Sequence, residues 1–210
     1  MNEFKLELYP SGNKKIESNY VNGKIEGLYQ RWYDNGNKWL ECNYVNGKRE
    51  GLYQRWYENG NKSIESNYMN GILEGLDQRW NENGNKWLEC NYVDGILEGL
   101  YQQWYDNGNK WLECNYVNGK LEGLYQKWYD NGQKFIESNY INGHLHGLYQ
   151  EWDENGNLKD VCIFRKGLKY TFQELSIKQT KLIKEELIIK VYNPDRINKL
   201  GGMDYLDIIE

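Results

Sequence analysis

The sequence predicts an all-β fold: an elongated, single-layer antiparallel β-meander, a solenoid of 24-residue hairpin repeats closed by a small mixed C-terminal cap. Three observations carry this. Tyr20, Tyr44, Tyr68, Tyr92, Tyr116 and Tyr140 recur without slippage, so the chain is an array of one unit. Each unit holds two turn signals, Asn46-Gly47 and Glu58-Asn59-Gly60-Asn61 in one copy, between β-prone runs rich in Trp, Tyr, Leu and Val. Composition excludes an ordinary helical domain: alanine is absent, the hydrophobic share is 39%, and the 210 residues include Gly 22, Trp 9 and Tyr 19.

The elements follow in order. Tyr9-Pro10-Ser11-Gly12 stands in the register of Tyr33-Asp34-Asn35-Gly36, so residues 1–13 form an N-terminal half-repeat cap with a strand from Phe4 to Tyr9. Residues 14–167 are the hairpin array. A glycine or Asn-Gly every few residues leaves no room for a useful helix, and short turns between units give a continuous meander of about fourteen strands. Phe164-Arg165-Lys166-Gly167 echoes Tyr140-Ile141-Asn142-Gly143, after which the period is lost. Residues 168–210 then serve as the cap or tail. Leu175, Leu182, Ile183, Leu187 and Val191 fit an amphipathic helix, while Ile188 to Tyr192 also fits a strand.

A four-residue loop would set Tyr44 opposite Gly51, Cys42 opposite Tyr53 and Leu40 opposite Arg55, with the tyrosine ring lying across bare glycine backbone. Tyr44, Gly47, Gly51 and Gly60 are thus the structural repeat residues. The other face would carry one tryptophan stripe: Trp32, Trp39, Trp56, Trp80, Trp87, Trp104, Trp111, Trp128 and Trp152, beside alternating Glu and Gln such as Glu41 and Gln54. An aromatic stripe bordered by carboxylates and amides is either an extended recognition surface or a substitute for the missing core. Trp39, Trp56, Trp87, Trp104, Trp111, Trp128, Arg55 and Lys127 are the candidate partner-binding residues. Two positions vary between copies and are therefore not fixed by the fold. They are Arg31, Arg55, Arg79, Gln103, Lys127 and Glu151, and Lys15, Trp39, Ser63, Trp87, Trp111 and Phe135.

Reactive chemistry is sparse. Cys42, Cys90, Cys114 and Cys162 share one repeat position with Ser18, Ser66 and Ser138. Equivalent positions lie ~9.6 Å apart, beyond the reach of a disulfide or a compact zinc site. His144 and His146 lack an evident third ligand, and Gly23-Lys24-Ile25-Glu26-Gly27 lacks the Lys-Ser/Thr ending of a phosphate loop. No cleft separates paired carboxylates, so the expectation is a protein that is not an enzyme, with no cofactor and no metal. A net charge of -5 argues against nucleic acid. With no apolar leader or spanning segment, the expected location is cytoplasmic.

The segment Tyr44-Val45-Asn46-Gly47-Lys48-Arg49-Glu50-Gly51, followed by Trp56-Tyr57-Glu58-Asn59-Gly60, resembles the MORN repeat, and the resemblance spans residues 12 to 167. It looks most like the longer-period bacterial and viral-type variant found in antitoxin components of toxin-antitoxin modules. That resemblance implies β-hairpin solenoids, protein-protein scaffolding and, in some members, phospholipid contact; it transfers no catalytic residue. Three functions follow as expectations. The first is a non-catalytic scaffold for a protein partner, in its sharper form an antitoxin-like binder. The second is a peripheral membrane adaptor using the row Lys38, Lys62, Lys86, Lys110 and Lys134. The third is a glycan-binding repeat protein.

Overall fold

The computed structural model describes residues 1–170, and every regular element among them is a β-strand. The chain divides into two units, residues 1–120 and 121–210. The helix or strand expected after Tyr170, and with it most of the expected C-terminal cap, lies outside the described residues.

In the first unit the strands are β1 (Asn2–Leu8), β2 (Lys14–Val21), β3 (Lys24–Trp32), β4 (Lys38–Val45), β5 (Lys48–Trp56), β6 (Lys62–Met69), β7 (Ile72–Trp80), β8 (Lys86–Val93), β9 (Ile96–Leu97), β10 (Gly99–Trp104) and β11 (Lys110–Val117). Each pairs antiparallel with its sequence neighbour, β10 continuing past the short β9 to pair with β8, so the unit is one meandering sheet. The two-residue β12 (Lys120–Leu121) falls at the division. The second unit repeats the pattern with β13 (Gly123–Trp128), β14 (Lys134–Ile141), β15 (His144–Trp152), β16 (Leu158–Arg165) and β17 (Leu168–Tyr170). The strand number exceeds the expected fourteen partly because Glu98 and Glu122 interrupt what would be single strands.

The turns explain the register. Asn46 and Gly47 both take positive φ, 52° and 78°, which is the two-residue hairpin turn that matches strand twist. Val45 therefore faces Lys48. The register then shifts by two residues beyond Asn43, at the stretch that contains Gly51 with φ 72°. This corrects the expected pairing. Within its hairpin Tyr44 opposes Arg49, while the glycine opposite it is Gly27 of the preceding strand. Gly51 likewise opposes Tyr68, so the glycine-tyrosine pairing holds across the other strand junction. The expected oppositions of Cys42 to Tyr53 and Leu40 to Arg55 are present.

At the other end of each hairpin, Gly36 N–H donates to the Tyr33 carbonyl and Tyr33 N–H donates to the Asn37 carbonyl. Neighbouring turns are tied together one repeat apart. The Tyr33 hydroxyl donates to the Trp56 carbonyl at 3.0 Å, and Asn35 and Asn37 side-chain amides donate to the Glu58 carbonyl. Gly47 N–H donates to the Ile25 carbonyl, and Asn46 N–H to the Glu26 carboxylate, along the opposite edge. Each such bond contributes ~1 kcal/mol and satisfies loop groups that a strand ladder leaves unpaired.

The core is a thin layer on one face. Leu40, Cys42 and Tyr53 form a buried cluster, with Tyr29, Tyr44, Ile64 and Tyr68 packed against it. The equivalent Cys90, Cys114, Cys162, Ser18, Ser66 and Ser138 are buried too. Small residues are needed there because tyrosine rings close over them from neighbouring strands: Tyr53 and Tyr68 meet edge to face at 5.5 Å, as do Tyr29 and Tyr44 at 5.8 Å. We call this side of each unit the tyrosine face. The opposite side is the glutamate face.

Candidate partner-binding face

A one-residue bulge decides where the tryptophans point. Strand β3 pairs with β4 as Arg31 to Leu40 and then Trp32 to Lys38, leaving Trp39 as an extra residue. The same shift recurs after Arg55, Arg79, Gln103, Lys127 and Glu151. Trp39 consequently packs with Leu40 against the core cluster on the tyrosine face. Trp32, Trp56, Trp80 and Trp152 instead meet lysine ammonium groups on the glutamate face: Lys38 lies 5.6 Å from the Trp56 ring and Lys134 5.7 Å from that of Trp152.

The single tryptophan stripe expected from strict alternation therefore does not form. Trp39, Trp87 and Trp111 occupy bulge positions of the tyrosine face, together with the candidates Arg55 and Lys127. Trp56, Trp104 and Trp128 fall on the glutamate face. Strict alternation has no means of registering an extra residue; the recurring Lys-Trp-Leu of Lys38-Trp39-Leu40 marks the place only once the register is known.

On the glutamate face the polar groups satisfy one another. Gln30 donates to the Glu41 carboxylate at 2.5 Å, Lys38 donates to the same carboxylate at 2.5 Å, and the following repeats copy the trio as far as Glu137, Leu158 and Val161 replacing its lysine and glutamate in the last. The Lys38 bond holds Glu41 below the usual carboxylate range despite partial burial, and Lys62 and Lys86 do the same for Glu65 and Glu89. Each trio is accordingly self-neutralising. An exposed apolar row, Leu28, Leu52, Leu76 and Leu100 with Val45, Met69 and Val93, runs along the turn side of this face.

The tyrosine face differs in charge. Arg31 and Arg55 flank Trp39, their guanidinium carbons 4.0 Å and 5.4 Å from its ring, and Arg79 stands 6.0 Å from Trp87. Arg49, which was not among the expected site residues, lies over both Tyr53 and Tyr68 and donates to the Tyr68 hydroxyl. Its only sequence signal is a lone arginine where other copies carry Leu or Ile.

Asp77 stands where the other copies place tyrosine. It is buried, accepts from the Ser66 hydroxyl at 2.6 Å, and takes both Arg79 donors on its other oxygen at 3.2 and 3.0 Å. A buried carboxylate is thus fully engaged rather than stranded. Burial first, and the Asp77 charge second, push the Cys90 thiol up to about 11. Unreactive thiols suit a packing role. Among the described residues no group of three or more His, Cys, Asp or Glu side chains is placed to hold a metal, and His144 and His146 lie on β15.

Five stretches, residues 25–46, 49–70, 97–118, 121–142 and 145–165, match the family model described as MORN repeat variant, together just over half of the chain. The chain belongs to that family. No curated protein matches it. Each matched MORN segment begins on one strand, passes the loop at Tyr33 or its equivalent, and ends on the partner strand or at the Asn-Gly turn. The MORN matches skip residues 71–96, the copy in which Asp77 and Asn81 replace two tyrosines. There Asn81 donates to the Asp106 carboxylate, where Tyr57 donates to the Trp80 carbonyl.

Proposed function

We propose that this MORN repeat protein is a non-catalytic scaffold that presents its tyrosine face to a protein partner. One observation carries the proposal. The two repeat positions that vary between copies, the Arg31/Arg55/Arg79/Gln103 set and the Trp39/Ser63/Trp87/Trp111 set, come from adjacent strands and are brought to the same side by the bulge. Beneath them the tyrosines, cysteines and leucines keep one packing pattern. A fixed base carrying a variable top is how a repeat array acquires specificity without altering its fold. An antitoxin-like role is the narrower form of this reading, with a toxin as the protein bound.

The phospholipid-adaptor alternative needs a cationic row from Lys38, Lys62, Lys86, Lys110 and Lys134. Each of these is ion-paired with the glutamate three residues on, which favours the protein-partner reading. No helix among the described residues is long and apolar enough to cross a membrane. The test is affinity capture from source lysate with the intact chain beside a Trp39→Ala/Trp87→Ala/Trp111→Ala variant, circular dichroism confirming that both fold. A protein retained by the intact chain and lost from the folded variant is the expected result. Equal retention by both, or none by either, overturns the proposal.

A further inference from the structure

The tyrosine face of the first unit is cationic although the chain as a whole carries -5. From β2 to β11 its strands contribute Lys15, Arg31, Arg49, Arg55 and Arg79, against one carboxylate, Asp77, which Arg79 already engages. Glu7, the nearest carboxylate from β1, is held by Lys5 at 2.8 Å and approached by Lys15 at 4.0 Å. Arg31 and Arg55 are different. Among the described residues neither forms an ion pair or a side-chain hydrogen bond, and the Nε of each is buried without an acceptor. Two guanidinium groups are thus held against the Trp39 ring by stacking, with their outer donors uncommitted.

Spacing limits what can satisfy both. Arg31 and Arg55 oppose the same residue, Leu40, from the strands on either side, so their backbones are two strand steps apart, ~9.6 Å, and their guanidinium carbons, 4.0 Å and 5.4 Å from the centre of the Trp39 ring, are no more than about that far apart. A polyproline II segment repeats every third residue at ~3.1 Å per residue, which places side chains of one face ~9.3 Å apart. An extended β-peptide matches less well, because its third residue points to the opposite side.

Resting on the scaffold reading above, we propose that Arg31, Trp39 and Arg55 form a binding site for a polyproline II segment of a partner protein that carries a carboxylate at every third residue. The carboxylates take the two guanidinium forks, and the intervening residues cross the edge of the Trp39 ring between the stacked guanidinium groups. Neither copy position is equivalent elsewhere in the unit: Trp87 has Arg79, already paired with Asp77, on one side and Gln103 on the other.

The test uses the full chain and a fluorescein-labelled peptide of four Glu-Pro-Pro repeats, followed by anisotropy, against a control peptide of the same composition with its glutamates adjacent. Saturable binding of the regular peptide is expected, at least tenfold tighter than that of the control. Arg31→Gln and Arg55→Gln should each weaken it on the order of tenfold. Arg55→Lys, which keeps the charge and loses the fork, should fall between. Asp77→Tyr together with Gln103→Arg, which releases Arg79 and sets a second guanidinium across Trp87 from it, should increase peptide bound per chain; as a gain, it does not depend on any variant failing to fold. Equal affinity for the two peptides, or folded glutamine variants that bind as the parent does, overturns the site. A chain that captures its partner from lysate through the tryptophans while ignoring the regular peptide keeps the scaffold reading and loses only this assignment.

Discussion

The two faces of the first unit are built from the same strands and differ in how their polar groups are used. On the glutamate face Lys38, Gln30 and Glu41 close on one another, and the later repeats do the same as far as Glu137, so charge is present and spent internally. On the tyrosine face Arg31 and Arg55 stack on an aromatic ring and, among the described residues, form no salt bridge, the Arg31 charge reaching Glu7 only from a distance. The contrast teaches that a regular repeat of charge is a poor guide to a binding surface. The face with more acids and bases is the self-satisfied one, and the informative groups are the few the lattice leaves over.

Stability should show the same asymmetry. Tyr53→Ala removes a buried ring from the Leu40/Cys42 cluster and should cost about 3 kcal/mol, measured by denaturant unfolding with tryptophan fluorescence. Leu52→Ala, one residue away on the other face and exposed, should cost under ~0.5 kcal/mol. Equal costs would break the comparison. Asp77→Ala strands the Ser66 hydroxyl and the Arg79 guanidinium and should destabilise by roughly 2 kcal/mol, with part of that recovered by Asp77→Tyr, which restores the ring of the other copies.

Smaller effects sharpen the account. Gly51→Ala should cost about 1 kcal/mol through backbone conformation alone, since a Cβ at that position meets nothing within 4 Å while its φ is 72°. The glutamate lattice supplies a pH signature. Glu41, Glu65 and Glu89 have folded pKa values held down chiefly by their lysines. Their contribution is present above the unfolded carboxyl value near ~4.3 and is lost as pH falls through the lower folded value. Stability should therefore decline below about pH 4, read as a falling thermal midpoint, by on the order of 0.5 kcal/mol per trio because the groups are only partly buried and solvent screens the pairs. Lys62→Met should flatten that decline in proportion to the one trio removed.

Much of the fold was legible because it rests on residues with strong backbone preferences. The Asn-Gly turns, the Tyr33-type loops and the 24-residue step follow from positive φ and periodicity, and they place β1 to β16 close to where the repeat implies. Register was less accessible. Both departures from strict alternation, the stretch at Gly51 and the extra residue at Trp39, are bulges, and a bulge changes pairing without changing the repeat length. The first moved the glycine opposite Tyr44 to the other neighbouring strand. The second had the larger consequence for the candidate site, because it divided Trp39 from Trp56 and joined Trp39 to Arg55. The variable positions were visible in the sequence as variable; that they share a side was not.

That division of the tryptophans is the claim on which the binding face depends. It is tested most directly by nuclear Overhauser spectroscopy of the full chain with tryptophan and arginine selectively labelled. The structure predicts contacts from the Trp39 ring protons to the side chains of Arg31 and Arg55, and from the Trp56 ring to Lys38. Contacts between the Trp39 and Trp56 rings, with none from Trp39 to either arginine, would restore the single stripe and contradict the account.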